Sequence, residues 1–172
     1  MRYLPSLTLC LIFSAATLAA DEKRERAQEA VSAFERKLPP RQAASDSKLD
    51  KDTEALVRKF FGGLKDRESK IEAIGVLDSR YIYPIPRELA SELLGKLIND
   101  PDVTVRSRAA HAVGYNGVGH RFADELLELL KESDPAIQRD ALYGMRGATE
   151  KFFPAMEQML TATDRHVRTA AA

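Results

Sequence analysis

The sequence predicts an all-α protein, an α-solenoid of about four stacked helical hairpins. A recurring phrase carries this. Asp100 opens D-P-D-V-T-V-R-S-R-A-A-H-A-V-G, Asp134 opens D-P-A-I-Q-R-D-A-L-Y-G-M-R-G, and Asp164 opens D-R-H-V-R-T-A-A-A. Aligned on a shared aliphatic, Val105, Ile137 and Val167 lie 32 and then 30 residues apart. A period of that length is one helical hairpin repeated along an array, each unit burying its apolar face on the next. Apolar residues elsewhere recur at helical intervals and no segment sustains a period of two, so no strand is expected.

Residues 1–20 read as an export signal. Arg2 supplies the positive end, Leu7–Leu18 is an apolar stretch, and Ala19 and Ala20 precede a charged run from Asp21. A short apolar core with small exit residues marks a cleaved signal rather than a membrane anchor. Cys10 lies inside this stretch without the preceding small residues of a lipoprotein site. The mature chain then has no cysteine, hence no disulfide and no thiolate chemistry. Residues 21–50 form an amphipathic helix carrying Ala27, Ala30, Val31, Phe34 and Leu38, ended by Pro39-Pro40, and a polar linker. Residues 51–172 are the repeat domain.

Its first helix starts at Asp50 or Asp52, carries Leu56, Val57, Phe60, Phe61 and Leu64, and weakens at Gly62-Gly63. Helices follow over 67–79, 87–99, 102–115, 120–132, 135–147 and 151–162, with a last one from Asp164. They alternate between Leu- or Phe-rich members and members that open on Asp or Asp-Pro and carry Ala or Gly. Asp before Pro suits a helix start, because the Asp accepts free amide protons and Pro lacks one. Small residues at Ala109, Ala112, Ala141 and Gly144 let neighbouring helices approach. Between two helices, Tyr81–Pro86 is an apolar loop read as covering a groove. The segment after Asp164 spans about two turns and needs packing to be stable. It is expected to fray, to be covered by another chain at an open end, or to lead into further repeats.

Composition excludes several classes. Removing residues 1–20 takes away one basic side chain, Arg2, leaving 25 basic against 26 acidic. Such a balance gives no basic face for nucleic acid and no polybasic membrane anchor. His111, His120 and His166 fall in different repeats, without metal-ligand spacing. Gly117-Val118-Gly119 follows a helix, not a strand, so it is a turn rather than a phosphate loop. No nucleophile motif is present. No cofactor, no metal and no catalytic residue is expected.

The segment Asp100–Gly117, D-P-x-V-x-V-R-x-x-A-A-x-A-V-G-x-x-G, resembles the second helix of a HEAT repeat, above all the short bacterial HEAT-like repeats of the phycobilisome-lyase type. The likeness extends to Asp134–Gly147 and Asp164–Ala172, and faintly to Arg67–Gly75, where Ile74-Gly75 answers Val113-Gly114. The resemblance implies an Asp–Arg ladder, with Asp100 and Arg106, then Asp164 and Arg168, in its places and Gln138 in the middle repeat. It also implies binding through the inner face. With Val105, Ala109, Ala112 and Val113 inward, Arg108, His111 and Tyr115 face outward, joined by Asp140 and Tyr143 of the next repeat. Ser69 and Glu72 hold the corresponding places in the faint repeat. The expected function is a non-catalytic protein-interaction module or scaffold, periplasmic or secreted. The alternative that the resemblance offers is a bilin-lyase-like enzyme, which attaches the pigment to its protein, or a chaperone of a pigment protein.

Overall fold

The computed structural model describes residues 7–39, 49–78, 85–147 and 150–172, and among them every regular element is helical. The α-helices are α1 (Leu7–Glu35), α2 (Lys51–Gly63), α3 (Arg67–Asp78), α4 (Arg87–Leu97), α5 (Val103–Tyr115), α6 (Ala123–Leu129), α7 (Pro135–Gly144), α8 (Phe153–Met159) and α9 (Arg165–Ala171). Single 3-10 turns, Gly119–Phe122 and Glu150–Phe152, lead into α6 and α8. The helices expected over 120–132 and 151–162 are therefore shorter, each opening on a tighter first turn, a common start for a helix. Most of the Tyr81–Pro86 loop and of the 41–50 linker lies outside the described residues.

One row organises the molecule. Helix α1 packs on α3, α3 on α5, α5 on α7 and α7 on α9, while α4, α6 and α8 lie against α5, α7 and α9 in turn. The row is built from small side chains. Ala109, Ala110, Ala112 and Ala141 are fully buried, and the larger Leu94, Leu126, Leu142, Met145 and Phe152 fill the space behind them. Helix α1 joins through Ala27, Val31 and Phe34, one stripe at helical spacing, and Leu38 just beyond extends it. Phe34 stacks flat on Phe60 of α2 at 4.0 Å.

Helix α5 meets α7 at nearly bare backbone. A Cβ on Gly114 would overlap the Tyr143 carbonyl outright and stand 2.7 Å from its carbon. A Cβ on Gly144 would lie 2.5 Å from Leu126 Cδ2 and 2.7 Å from the Ala110 carbonyl oxygen. Only glycine fits either place, which offsets its poor helix propensity of about 1 kcal/mol. The end of α5 is closed by Gly117 at φ 65°, with Val118 N–H donating to Val113 O (3.1 Å) and Gly117 N–H to Gly114 O (3.0 Å). This pair of bonds satisfies carbonyls that a helix end leaves free.

The helix starts correct the expected register. Asp102, not Asp100, caps α5, accepting from the amides of Thr104 (2.8 Å) and Val105 (3.2 Å). Asp134 and Asp164 cap α7 and α9. Pro101 precedes the cap, so the Asp-Pro rule of α7 does not transfer to α5. Asp66 caps the next helix back, α3, through Ser69. Counted from these caps, the buried residues Ala73, Ile74, Val76 and Leu77 of α3 answer Ala109, Ala110, Ala112 and Val113 of α5. The faint repeat is thus in phase three residues away from the sequence alignment, and Leu77 rather than Ile74 matches Val113.

The expected Asp–Arg ladder is replaced by a local device. Arg106 donates to the carbonyls of Asp100 and Pro101, both at 3.0 Å. Arg168 donates to Ala162 O (2.8 Å) and Thr163 O (2.7 Å), and Gln138 to Glu132 O (2.8 Å) and Leu130 O (3.3 Å). All three stand four residues after the cap and tie down the turn entering their own helix. Gln serves as well as Arg because the acceptors are neutral carbonyls. The Asp100 carboxylate instead accepts from Lys70 of α3 (2.6 Å) and from the Asp102 amide (3.0 Å). Burial works against its charged form, but Lys70 and these bonds prevail and hold its pKa below the ordinary carboxylate range.

Candidate functional site

The cap on α5 and the glycine contact with α7 together decide which side chains share the outer face. From Asp102, positions 108, 111 and 115 fall on one stripe of α5. The Gly114–Tyr143 approach brings the end of α7 beside that stripe. The His111 ring then meets Tyr143 edge-on at 5.3 Å and lies tilted against Tyr115 at 4.9 Å. Arg146, one turn beyond Tyr143, spreads its guanidinium over both phenol rings, 5.0 Å from the Tyr143 centroid and 5.4 Å from that of Tyr115. Its position just past the C-terminus of α7 also suits a cation. Tyr115 is 40% exposed, Tyr143 and His111 are half-buried, and Arg108 and Arg146 are exposed.

On its other side His111 faces Asp78, the last residue of α3. Its Nδ1 stands 3.7 Å from Asp78 Oδ2, within ion-pair range but beyond a hydrogen bond. Asp78 Oδ1 is buried and has no hydrogen-bond partner among the described residues. Buried Asn116 fixes this end of α3. Its amide donates to Leu77 O (3.1 Å) and to Ala112 O (2.9 Å), tying α3 to α5 one residue before Asp78.

Of the five residues expected to form the face, His111, Tyr115 and Tyr143 come together, and Arg108 lies on the same stripe. Asp140 does not belong to the exposed row. It is 6% exposed, turned into the α5–α7 groove, where its carboxylate accepts from the Ser107 hydroxyl at 2.9 Å and lies 3.7 Å from Arg139. The close α5–α7 approach puts this position between the helices rather than outside them. Two members were missed, Arg146 and Asp78. Arg146 had only a faint signal: it follows Tyr143 by three residues, but past the end of α7 at Gly144. Asp78 had a weaker one: it precedes His111 by 33 residues, the same interval that separates Ser107 from Asp140.

Chemically the face offers two aromatic surfaces, one guanidinium held in place by them, and an imidazole between the phenols and a carboxylate. Among the described residues no group of three or more His, Cys, Asp or Glu is placed to hold a metal ion. No helix there is long and apolar enough to cross a membrane. No family model matches the chain, and no curated protein matches it.

Proposed function

We propose that this chain is an exported, non-catalytic interaction module made of HEAT-like hairpins, and that it binds another protein through the α5–α7 face. The observation that carries the reading is the half-exposed set His111, Tyr115, Tyr143 and Arg146. Tyr and Arg are the residue types that most often dominate binding energy at protein interfaces, because each combines large apolar area with a directional polar tip. The hairpin reading is supported by the pairings α4 with α5, α6 with α7 and α8 with α9, and by the equivalence of the three caps. Export to the periplasm or medium is supported by the pattern of residues 1–20. Residues 17–26 of α1 are exposed and the first described core residue of the helix is Ala27, so cleavage before Asp21 removes no described core residue.

A second contact of the same module is association through α8. There Phe153, and Leu160 just past the helix end, are 55% and 44% exposed, while their equivalents at α6, Ala123 and Leu130 just past it, are buried.

The test is capture from a periplasmic extract, with wild type beside the Tyr115→Ala/Tyr143→Ala double variant. A protein retained by the wild type and lost from the double variant, with helix content unchanged, supports the reading. Equal retention by both places the interface elsewhere.

A further inference from the structure

We propose that the α5–α7 face receives an acidic segment of the partner, with Arg146 and Arg108 each taking a carboxylate. This rests on the face being the interaction surface. Among the described residues, several exposed arginines are spoken for: Arg58 by Glu54 and Glu92, Arg121 by Glu88, Arg26 by Glu22, whereas others, Arg36 and Arg67 among them, have no carboxylate partner. Arg108 and Arg146 have no carboxylate within ion-pair distance there. The nearby acids are committed or turned away. Asp140 is buried on Ser107, and Glu72 faces Gln28 and Arg24 of α1.

Arg146 is held ready. Lying over Tyr115 and Tyr143 at 5.4 and 5.0 Å, its guanidinium is fixed by the ring faces, yet stacking uses none of its in-plane N–H donors. Those donors form a fork that matches a carboxylate in two parallel hydrogen bonds. Because the rings already restrain the side chain, less rotamer entropy is lost on binding than for a free surface arginine. Arg108 stands seven residues before Tyr115 on the same helical stripe, about 10 Å along α5. A carboxylate on Arg146 and another on Arg108 are therefore spaced as acidic side chains a few residues apart on an extended segment. Asp78, at the end of α3 beside His111, repels such a segment on that side and confines it to α5 and α7.

The test is fluorescence anisotropy with the full chain and a short labelled peptide of alternating Glu and Ala. Its Gln counterpart and a labelled single-stranded DNA of similar length are measured beside it. The Glu peptide is expected to bind, and the Gln peptide about tenfold or more weaker. Arg146→Ala and Arg108→Ala should each lower affinity about tenfold, and Arg146→Lys should not restore it, since an ammonium lacks the fork. Arg36→Ala, at the far end of α1, should leave affinity unchanged. Absence of Glu-peptide binding, equal binding of the Gln peptide, or indifference to Arg146→Ala overturns the proposal. Tighter binding of the DNA overturns it too, in favour of a phosphate-binding face. If capture of the natural partner needs Tyr115 and Tyr143 but not the arginines, the interaction face stands and its acidic specificity falls. If it needs neither, both fall.

Discussion

Gly114 is where one added methyl group acts on the whole row. In Gly114→Ala the new Cβ overlaps the Tyr143 carbonyl, lies 2.7 Å from its carbon and 3.0 Å from Gly144 Cα, where ordinary contact begins at 3.4 Å. All three obstacles are backbone, so no side chain can swing aside. The helices α5 and α7 must part by more than the roughly 0.7 Å that the carbon contact alone requires, because the carbonyl oxygen stands closer still, and interior packing does not yield that distance freely. Overpacking costs about 3 kcal/mol at the upper end of its usual range, and better helix propensity returns about 1. The net loss is about 2 kcal/mol or more, a fall in Tm of roughly 4–8 °C for a chain of this size. Gly75, in the middle of α3, has nothing within 4 Å of its Cβ position. Gly75→Ala should therefore stabilise by about 0.5–1 kcal/mol. Thermal and urea melts followed by circular dichroism give both values. Equal stability of Gly114→Ala and wild type, or equal losses at both positions, would refute the close approach on which the α5–α7 face depends.

Further outcomes follow from individual contacts. Asp140→Ala strands the Ser107 hydroxyl in the groove and should cost about 1–2 kcal/mol, whereas Arg108→Ala on the surface should stay within about 0.5 kcal/mol; urea melts compare them. Asp100, with its pKa depressed in the fold, contributes stability that is full above the ordinary carboxylate range and is lost as pH falls through the depressed value. Lys70→Met should therefore flatten the acid limb of the stability profile, read by melts across acidic pH. Mass spectrometry of the chain recovered from its native compartment should find an N-terminus at Ala20 or Asp21; an intact Met1 in a membrane fraction contradicts export.

The all-helical fold was legible because its cause is local. Val105, Ile137 and Val167 each stand three residues after a capping Asp, and burial then follows the helical period. What misled was chemistry shared by neighbours. Asp100 and Asp102 flank the same proline, and only backbone geometry, φ −81° and ψ 120° at Asp102, decides which one caps. Asp140 occupies the same repeat position as Arg108, yet α7 lies so close to α5 that its carboxylate is enclosed. That enclosure follows from Gly114 and Gly144 acting together, and periodicity within one helix carries no trace of it. His111, Tyr115 and Tyr143 were found because they share stripes of regular helix. Arg146 and Asp78 lie at or beyond helix ends, where stripe arguments lapse and the C-terminal turns of α7 and α3 set direction.

A partner seated on the α5–α7 face would be marked directly by where it crosslinks. A photo-crosslinking residue placed at Tyr115, and in a separate variant at exposed Glu128 of α6, tests this in the native extract. A partner on the α5–α7 face gives a crosslinked protein from position 115 that is absent from position 128 and disappears when Tyr143→Ala is added. Crosslinks of equal yield from both positions, or from 128 alone, would contradict that placement.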